Sequence, residues 1–228
     1  GGSPAFGTAT VFEEASTSQT ATGFDSNSNR IVIAYTDAGN SNNGTAVVGQ
    51  VSGTSLAFGT PVVFSTGYPV ETAITFDSNL NKIVIAYSDN SNSEQGLAIV
   101  GTVDPADNSI SFGTAAVFNT GIVGAKGIGT VSGTSISFGT AVDYTDNVAN
   151  YNEIVFDSNS NKVVIFYQDA GNSGYGTGVV GTVSGTGISF GTPVVLVSAS
   201  AEGFAPVFDT TVNKTMVFFE GTSSKGYY

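Results

Sequence analysis

Two groups of residues in this 228-residue chain have types and spacings that could do chemistry. Glu13, Glu14, Glu71, Glu153, Glu202 and Glu220 could supply the acid and base of glycoside hydrolysis, a hydrolytic scheme that needs neither imidazole nor thiol. A second group places oxygen ligands at alternate positions, as a calcium loop begins: Asp25, Asn27 and Asn29, with copies at Asp77, Asn79, Asn81 and at Asp157, Asn159, Asn161. The chain has no histidine and no cysteine, which removes the imidazole base, the thiolate nucleophile, the disulfide and any metal site built on nitrogen or sulfur ligands.

Each group also has a plainer reading. Arg30, Lys82 and Lys162 stand where the glycine of an EF-hand belongs, and no glutamate closes the loop, so a hairpin turn in which Asp and Asn bond their own backbone is the expectation. Glu71, Glu153 and Glu202 recur at the start of one strand in successive copies, which marks them as parts of the fold. A sialidase would hold its substrate with an arginine cluster, and Arg30 is the single arginine. No enzymatic activity, catalytic residue, metal or cofactor is therefore expected. Sugar binding without chemistry needs an aromatic ring beside amides or carboxylates. Tyr68, Tyr151 and Tyr175, the last in the loop Asn172-Ser173-Gly174-Tyr175, are the tyrosines out of phase with the recurring core aromatics Phe58, Phe76 and Tyr87.

Charge limits the partners further. The net charge is −12, and Arg30 is joined only by scattered Lys82, Lys126, Lys162, Lys214 and Lys225, so no basic patch can neutralise a run of phosphates. Nucleic acid is excluded as an expected partner. No stretch approaches the roughly 20 apolar residues that cross a bilayer, so no membrane insertion is expected.

Self-similarity decides the fold class. Phe-Gly-Thr begins at Phe6, Phe58, Phe112, Phe138 and Phe190, separations of 52, 54, 26 and 52. A second marker runs FDSNSNR from Phe24, FDSNLNK from Phe76, FDSNSNK from Phe156 and FDTTVNK from Phe208. A third closes units at Gly49, Gly101, Gly129 and Gly181. Units begin near residues 3, 55, 109, 135 and 187 of a single repeat domain spanning 1–228, and the third lacks about half a unit between Phe118 and Gly129. Either that unit is truncated, or the sequence lacks residues that the molecule contains.

In the second copy, Val, Ile, Phe, Tyr and Thr concentrate in Gly59 to Phe64, Glu71 to Phe76, Lys82 to Tyr87 and Gly96 to Val103, with Gly, Asn, Asp and Ser between them. That partition predicts four strands per unit and almost no helix. The third strand, RIVIAY, KIVIAY, KVVIFY and KTMVFF in turn, is apolar on both faces and predicts cover from both sides. Sheets stacked on sheets provide such cover, so the expected fold is all-β, a β-propeller of about five four-stranded blades with the third abbreviated. A β-solenoid is the alternative.

The repeat, best preserved over Phe156 to Tyr167, Asp169 to Ser173 and Gly176 to Val195, resembles tandem repeats in structural and appendage proteins of marine bacteriophages. Tyr35-Thr36-Asp37-Ala38-Gly39 and Tyr167-Gln168-Asp169-Ala170-Gly171 also resemble the Asp-box of sialidase-type blades, without its tryptophan. In such boxes the aspartate caps its own turn. The first resemblance implies a non-enzymatic structural or host-contact component of a virion or extracellular appendage, with other virion or surface subunits, or a host-surface glycan, as partners. A secreted lectin-like carbohydrate-binding module is the alternative. Lys225-Gly226-Tyr227-Tyr228 opens a strand whose continuation is missing, so a longer natural chain or a partner over that edge is expected.

Overall fold

A computed structural model describes residues 6–91, 95–119, 125–126, 129–221 and 225–227. Strands dominate, and among the described residues the only helical segments are two 3-10 turns, Ala38–Asn40 and Ala170–Asn172. Among them, too, no helix is long and apolar enough to cross a membrane. The chain divides into two compact units, Gly1–Ile122 with Thr130–Ser137, and Val123–Gly129 with Phe138–Tyr228.

The first unit holds two copies of one antiparallel meander. Thr17–Asp25 (β1), Arg30–Asp37 (β2) and Asn43–Ser52 (β3) pair in order. One edge of β3 is then shared by Ser55–Phe58 (β4) along its end and Val62–Ser65 (β5) along its start, in the registers Gly49↔Phe58 and Thr45↔Val63. The second sheet repeats the plan with Pro69–Asp77 (β6), Lys82–Asp89 (β7), Gln95–Asp104 (β8), Ser109–Phe112 (β9) and Ala116–Asn119 (β10). Short pairs follow: Ala125–Lys126 (β11) with Val142–Asp143 (β14), and Gly129–Ser132 (β12) with Ser135–Phe138 (β13).

In the second unit, Ala149–Asp157 (β15), Lys162–Asp169 (β16), Tyr175–Ser184 (β17) and Gly187–Phe190 (β18) again form the meander. Here the closing strand continues into the next sheet. Val194–Asp209 (β19) pairs with β17 through Gly178↔Val194 and then with Lys214–Gly221 (β20) through Val207↔Met216. Lys225–Tyr227 (β21) pairs with β20 in turn, so the strand expected at Lys225 is present.

Two details of the sequence reading are corrected. The segment Gly59 to Phe64 does not open a unit with the strands that follow it; its strand, Val62–Ser65, closes the preceding sheet against β3. The Gly59 amide bonds the Val48 carbonyl at 2.9 Å, which turns the chain back along the same edge of β3. The short strands β4, β9, β13 and β18 were also missed, because four residues such as Ser135–Phe138 are too few to show a period. Of the half unit expected to be absent between Phe118 and Gly129, residues 120–124 and 127–128 lie outside the described residues.

Sheets within the first unit pack face to face. Val32, Ala34, Ala46 and Val48 of the first sheet meet Ile83, Ile85, Tyr87, Ile99 and Ile110 of the second, with Phe64 between them. The opposite face of the first sheet buries Ile33, Tyr35 and Val47 beneath Phe12 and Phe58. RIVIAY is therefore covered on both sides, as its composition predicts. Cover thins along the chain: Val84 and Ala86 of the second copy are half-buried, and in KTMVFFEG alternate residues face solvent.

Three devices recur. Edge-to-face or tilted aromatic sets join Phe12, Tyr35 and Phe58, then Phe64, Tyr87 and Phe112, then Tyr144, Tyr167 and Phe190, with nearest centroids 5.1–5.3 Å apart. The glycine of Phe-Gly-Thr touches the turn of the following copy: a Cβ on Gly7, Gly59, Gly113 or Gly139 would lie 1.8–2.0 Å from the carbonyl oxygen of Thr54, Asn108, Thr134 or Thr186, respectively. The shortened unit keeps this contact although only 21 residues separate Gly113 from Thr134. The third device is a bulge in each first strand, with Gln19, Glu71, Tyr151 and Gly203 at φ of 51°, 52°, 52° and 61°.

Candidate functional site

The Asp-Asn segments are hairpin turns. Asp25 Oδ1 accepts from the amides of Asn27 and Ser28 at 2.9 and 3.0 Å, and Asp77 does the same for Asn79 and Leu80. Asp157 binds the amides of Asn159 and Ser160 and, through Oδ2, the Ser160 hydroxyl at 2.7 Å. Asp209 holds Thr211 and Val212. Each turn ends on an asparagine in the left-handed region, Asn29, Asn81, Asn161 and Asn213, with φ of 52–55°. These hydrogen bonds hold the Asp157 carboxyl below its ordinary pKa, the Ser160 hydroxyl being the largest cause. Among the described residues no three acidic side chains gather where they could hold a metal ion.

The Asp-box-like turns follow the same logic. Asp37 Oδ1 accepts from the Gly39 amide at 2.8 Å and Asp169 Oδ1 from the Gly171 amide at 3.0 Å, each capping a 3-10 turn that ends on a left-handed serine.

The six glutamates do not converge as a set. Glu13 is half-buried and accepts from the Ala15 amide and the Tyr35 hydroxyl, at 2.9 and 3.3 Å. Glu71 sits at a bulge, and its amide donates to Gln19 Oε1 at 2.9 Å. Glu153 is exposed and stands opposite Phe166 in the β15–β16 register. Glu202 and Glu220 are cross-strand partners, both exposed, and Glu202 accepts a hydrogen bond from Tyr151, which raises the tyrosine pKa. Neither carboxyl of this pair is enclosed by the residues around it.

Buried tyrosines are the most perturbed groups. Tyr35 and Tyr144 are pushed far above the ordinary phenol value, chiefly by burial, with the Glu13 carboxylate adding to the effect at Tyr35. Tyr87 and Tyr167 shift the same way for the same main reason. Tyr144 donates to Asn152 Oδ1. Such phenols stay neutral and structural at any ordinary pH. Of the tyrosines assigned to the surface, Tyr68 and Tyr151 are exposed and Tyr175 is half-buried.

Sequence reasoning missed the bulge residues. Gln, Glu, Tyr and Gly share no chemistry, and the only signal was their constant place six residues before the turn aspartates Asp25, Asp77, Asp157 and Asp209. Positively charged residues after the turns were read only as breaking a calcium motif. Arg30 Nε donates to Asn108 Oδ1 at 2.5 Å and its Nη2 to the Pro105 carbonyl at 2.8 Å, tying the first sheet to the second. Lys82 and Lys162 bond Thr102 and Thr182 within their own sheets, at 2.8 and 2.7 Å.

The site geometry therefore defines an all-β tandem-repeat protein whose recurring polar residues hold its own turns. Comparison of the chain with protein-family models, curated proteins and solved structures gives no match.

Proposed function

We propose that the chain is a non-enzymatic structural or host-contact component of a virion or extracellular appendage, its repeats forming about five blades of a β-propeller with the third abbreviated. One observation carries this reading: the recurring aspartates that could have served chemistry are engaged with their own turn amides. The repeated glycines and aromatics join one copy to the next. What is left outside is an acidic surface of Ser, Thr, Asn and Gly that suits a durable, soluble exterior. Other virion or surface subunits are the expected partners.

Two experiments test the proposal. Small-angle scattering separates a flat ring of blades from the elongated profile of a solenoid, and the elongated profile defeats the propeller. Incubation with oligosaccharide libraries tests the absence of catalysis; release of sugar that a Glu202→Gln or Glu220→Gln change abolishes would defeat the non-enzymatic reading.

The exposed rings of Tyr68 and Tyr151 favour a second reading, a secreted lectin-like module. Selective binding on a glycan array, lost in Tyr68→Ala or Tyr151→Ala, would support it over a purely structural role.

A further inference from the structure

Tyr151 occupies the bulge of β15 at φ 52°, and its side chain is 52% exposed. Gln19 and Glu71, at the same bulge in the first two sheets, are exposed as well, although those sheets pack face to face. Exposure at this place therefore belongs to the bulge and does not depend on a missing neighbour.

The ring is held in place. Tyr151 donates its hydroxyl to the Glu202 carboxylate on β19. Strand β19 is itself pinned just before Glu202: Gln168 Nε2 donates to Ser200 Oγ at 3.2 Å and to the Ala201 carbonyl at 3.1 Å, while Gln168 Oε1 accepts from Asn150 Nδ2 at 3.3 Å. This amide ladder sets the residues next to Tyr151 and Glu202, and all of it lies within the second unit. Tyr68, by contrast, is 38% exposed and is anchored through its backbone, its amide donating to Ser91 Oγ and its carbonyl accepting from the Asn90 amide.

We propose that Tyr151 and Glu202 form a subsite for a neutral, hydroxyl-rich sugar and refuse acidic sugars. The inference rests on the lectin-like reading and names the class of glycan that reading would take. A pre-set aromatic face gives the C–H side of a sugar ring an apolar platform at little entropic cost. The Glu202 carboxylate is acceptor-only, and with one bond taken by Tyr151 it keeps lone pairs for sugar hydroxyls, which bond an ionised acceptor more strongly than a neutral one. A sialic or uronic acid over the same ring would instead set its carboxylate beside that of Glu202. Glu220, directly across from Glu202, adds charge of the same sign. Lys225 on β21 lies beyond Glu220, two strands and about 10 Å from Glu202 at ordinary strand spacing, where salt screens most of its charge.

The test titrates the whole chain with pairs of oligosaccharides that differ only in a terminal sialic acid, or in a uronic acid replacing a neutral hexose. The neutral member of each pair should bind, and the acidic member should bind about tenfold more weakly or worse. Tyr151→Gly, which installs the residue that the last sheet carries at this bulge, should abolish binding with unchanged circular dichroism. Glu202→Gln keeps size and an acceptor but removes the charge, and should bring the two affinities toward parity. Glu14→Gln makes the same charge change at an exposed site in the first unit and should leave their ratio unaltered. Equal or tighter binding of the acidic members overturns the proposal, as does a ratio that Glu202→Gln leaves intact or that Glu14→Gln shifts equally. Binding lost in Tyr68→Ala but kept in Tyr151→Gly overturns it while the lectin-like reading stands; no binding of any oligosaccharide overturns both.

Discussion

Gln19 and Glu71, 52 residues apart, occupy equivalent bulges in neighbouring sheets and are bonded to each other, the Gln19 Oε1 accepting from the Glu71 amide at 2.9 Å. The strained backbone thus coincides with a link between copies. In the second unit the bulge residue Tyr151 bonds Glu202, the neighbour of the bulge residue Gly203, through its side chain.

The strain itself can be measured. A left-handed conformation costs a non-glycine residue about 1–2 kcal/mol. Gly203, at φ 61° with nothing within 4 Å of its Cβ position, isolates that term. Gly203→Ala should destabilise its unit by about 1 kcal/mol, and Glu71→Gly, which keeps the bonding amide, should stabilise the first unit by up to about 1 kcal/mol. Urea denaturation followed by tyrosine fluorescence reads both; equal midpoints for Gly203→Ala and wild type would remove the strain argument.

Phe-Gly-Thr offers a paired control. A Cβ on Gly59 would sit 2.0 Å from the Asn108 carbonyl oxygen, whereas on Gly191 it would meet the Val180 oxygen at an ordinary 3.7 Å. Gly59→Ala forces two sheets apart and should cost about 2 kcal/mol or more, while Gly191→Ala should change stability by less than about 0.5 kcal/mol. Thermal melts of the two variants should differ clearly; similar melts would mean the repeat contact is soft.

Asp157 binds its proton more weakly in the folded protein, because the Ser160 hydroxyl and the turn amides bond its carboxylate. Its carboxylate supports the fold above the unfolded-state pKa, and that support is lost as pH falls through the lower folded value. NMR titration should place the Asp157 midpoint below that of a free aspartate, and Ser160→Ala should raise it. A midpoint unmoved by Ser160→Ala would show that the hydroxyl bond is not its cause.

Burial acts in the opposite sense on the phenols. Tyr35 and Tyr144 have raised folded pKa values, so their contribution is fully present below the unfolded value of about 10 and is lost as pH rises beyond it. Ultraviolet titration should show exposed tyrosines ionising near their ordinary pH and a separate group, including Tyr35 and Tyr144, ionising only as the protein unfolds in strong alkali. A single ordinary transition with native circular dichroism would contradict their burial.

Legibility followed the range of the interaction. The turn from Asp25 to Asn29 is written locally: the carboxylate reaches amides two and three residues ahead, and asparagine tolerates the positive φ. The Asp37 and Asp169 caps were readable for the same reason. The Glu202 and Glu220 pairing was not, because bringing them opposite each other depends on the hairpin register of β19 and β20 beyond a bulge. Arg30 likewise looked like a broken ligand loop until the second sheet placed Asn108 and Pro105 within its reach.

By itself, then, the sequence determined the longer strands, the turns between them and the all-β class, since each depends on side-chain type over a few residues. Only the tertiary structure decided that Val62–Ser65 closes the sheet before it, and that the third strand of the repeat is covered on both faces in RIVIAY but has alternate residues exposed in KTMVFF. The physical reason is that backbone pairing and burial are properties of neighbours. Equivalent strands acquire different surroundings according to which copy lies on each side.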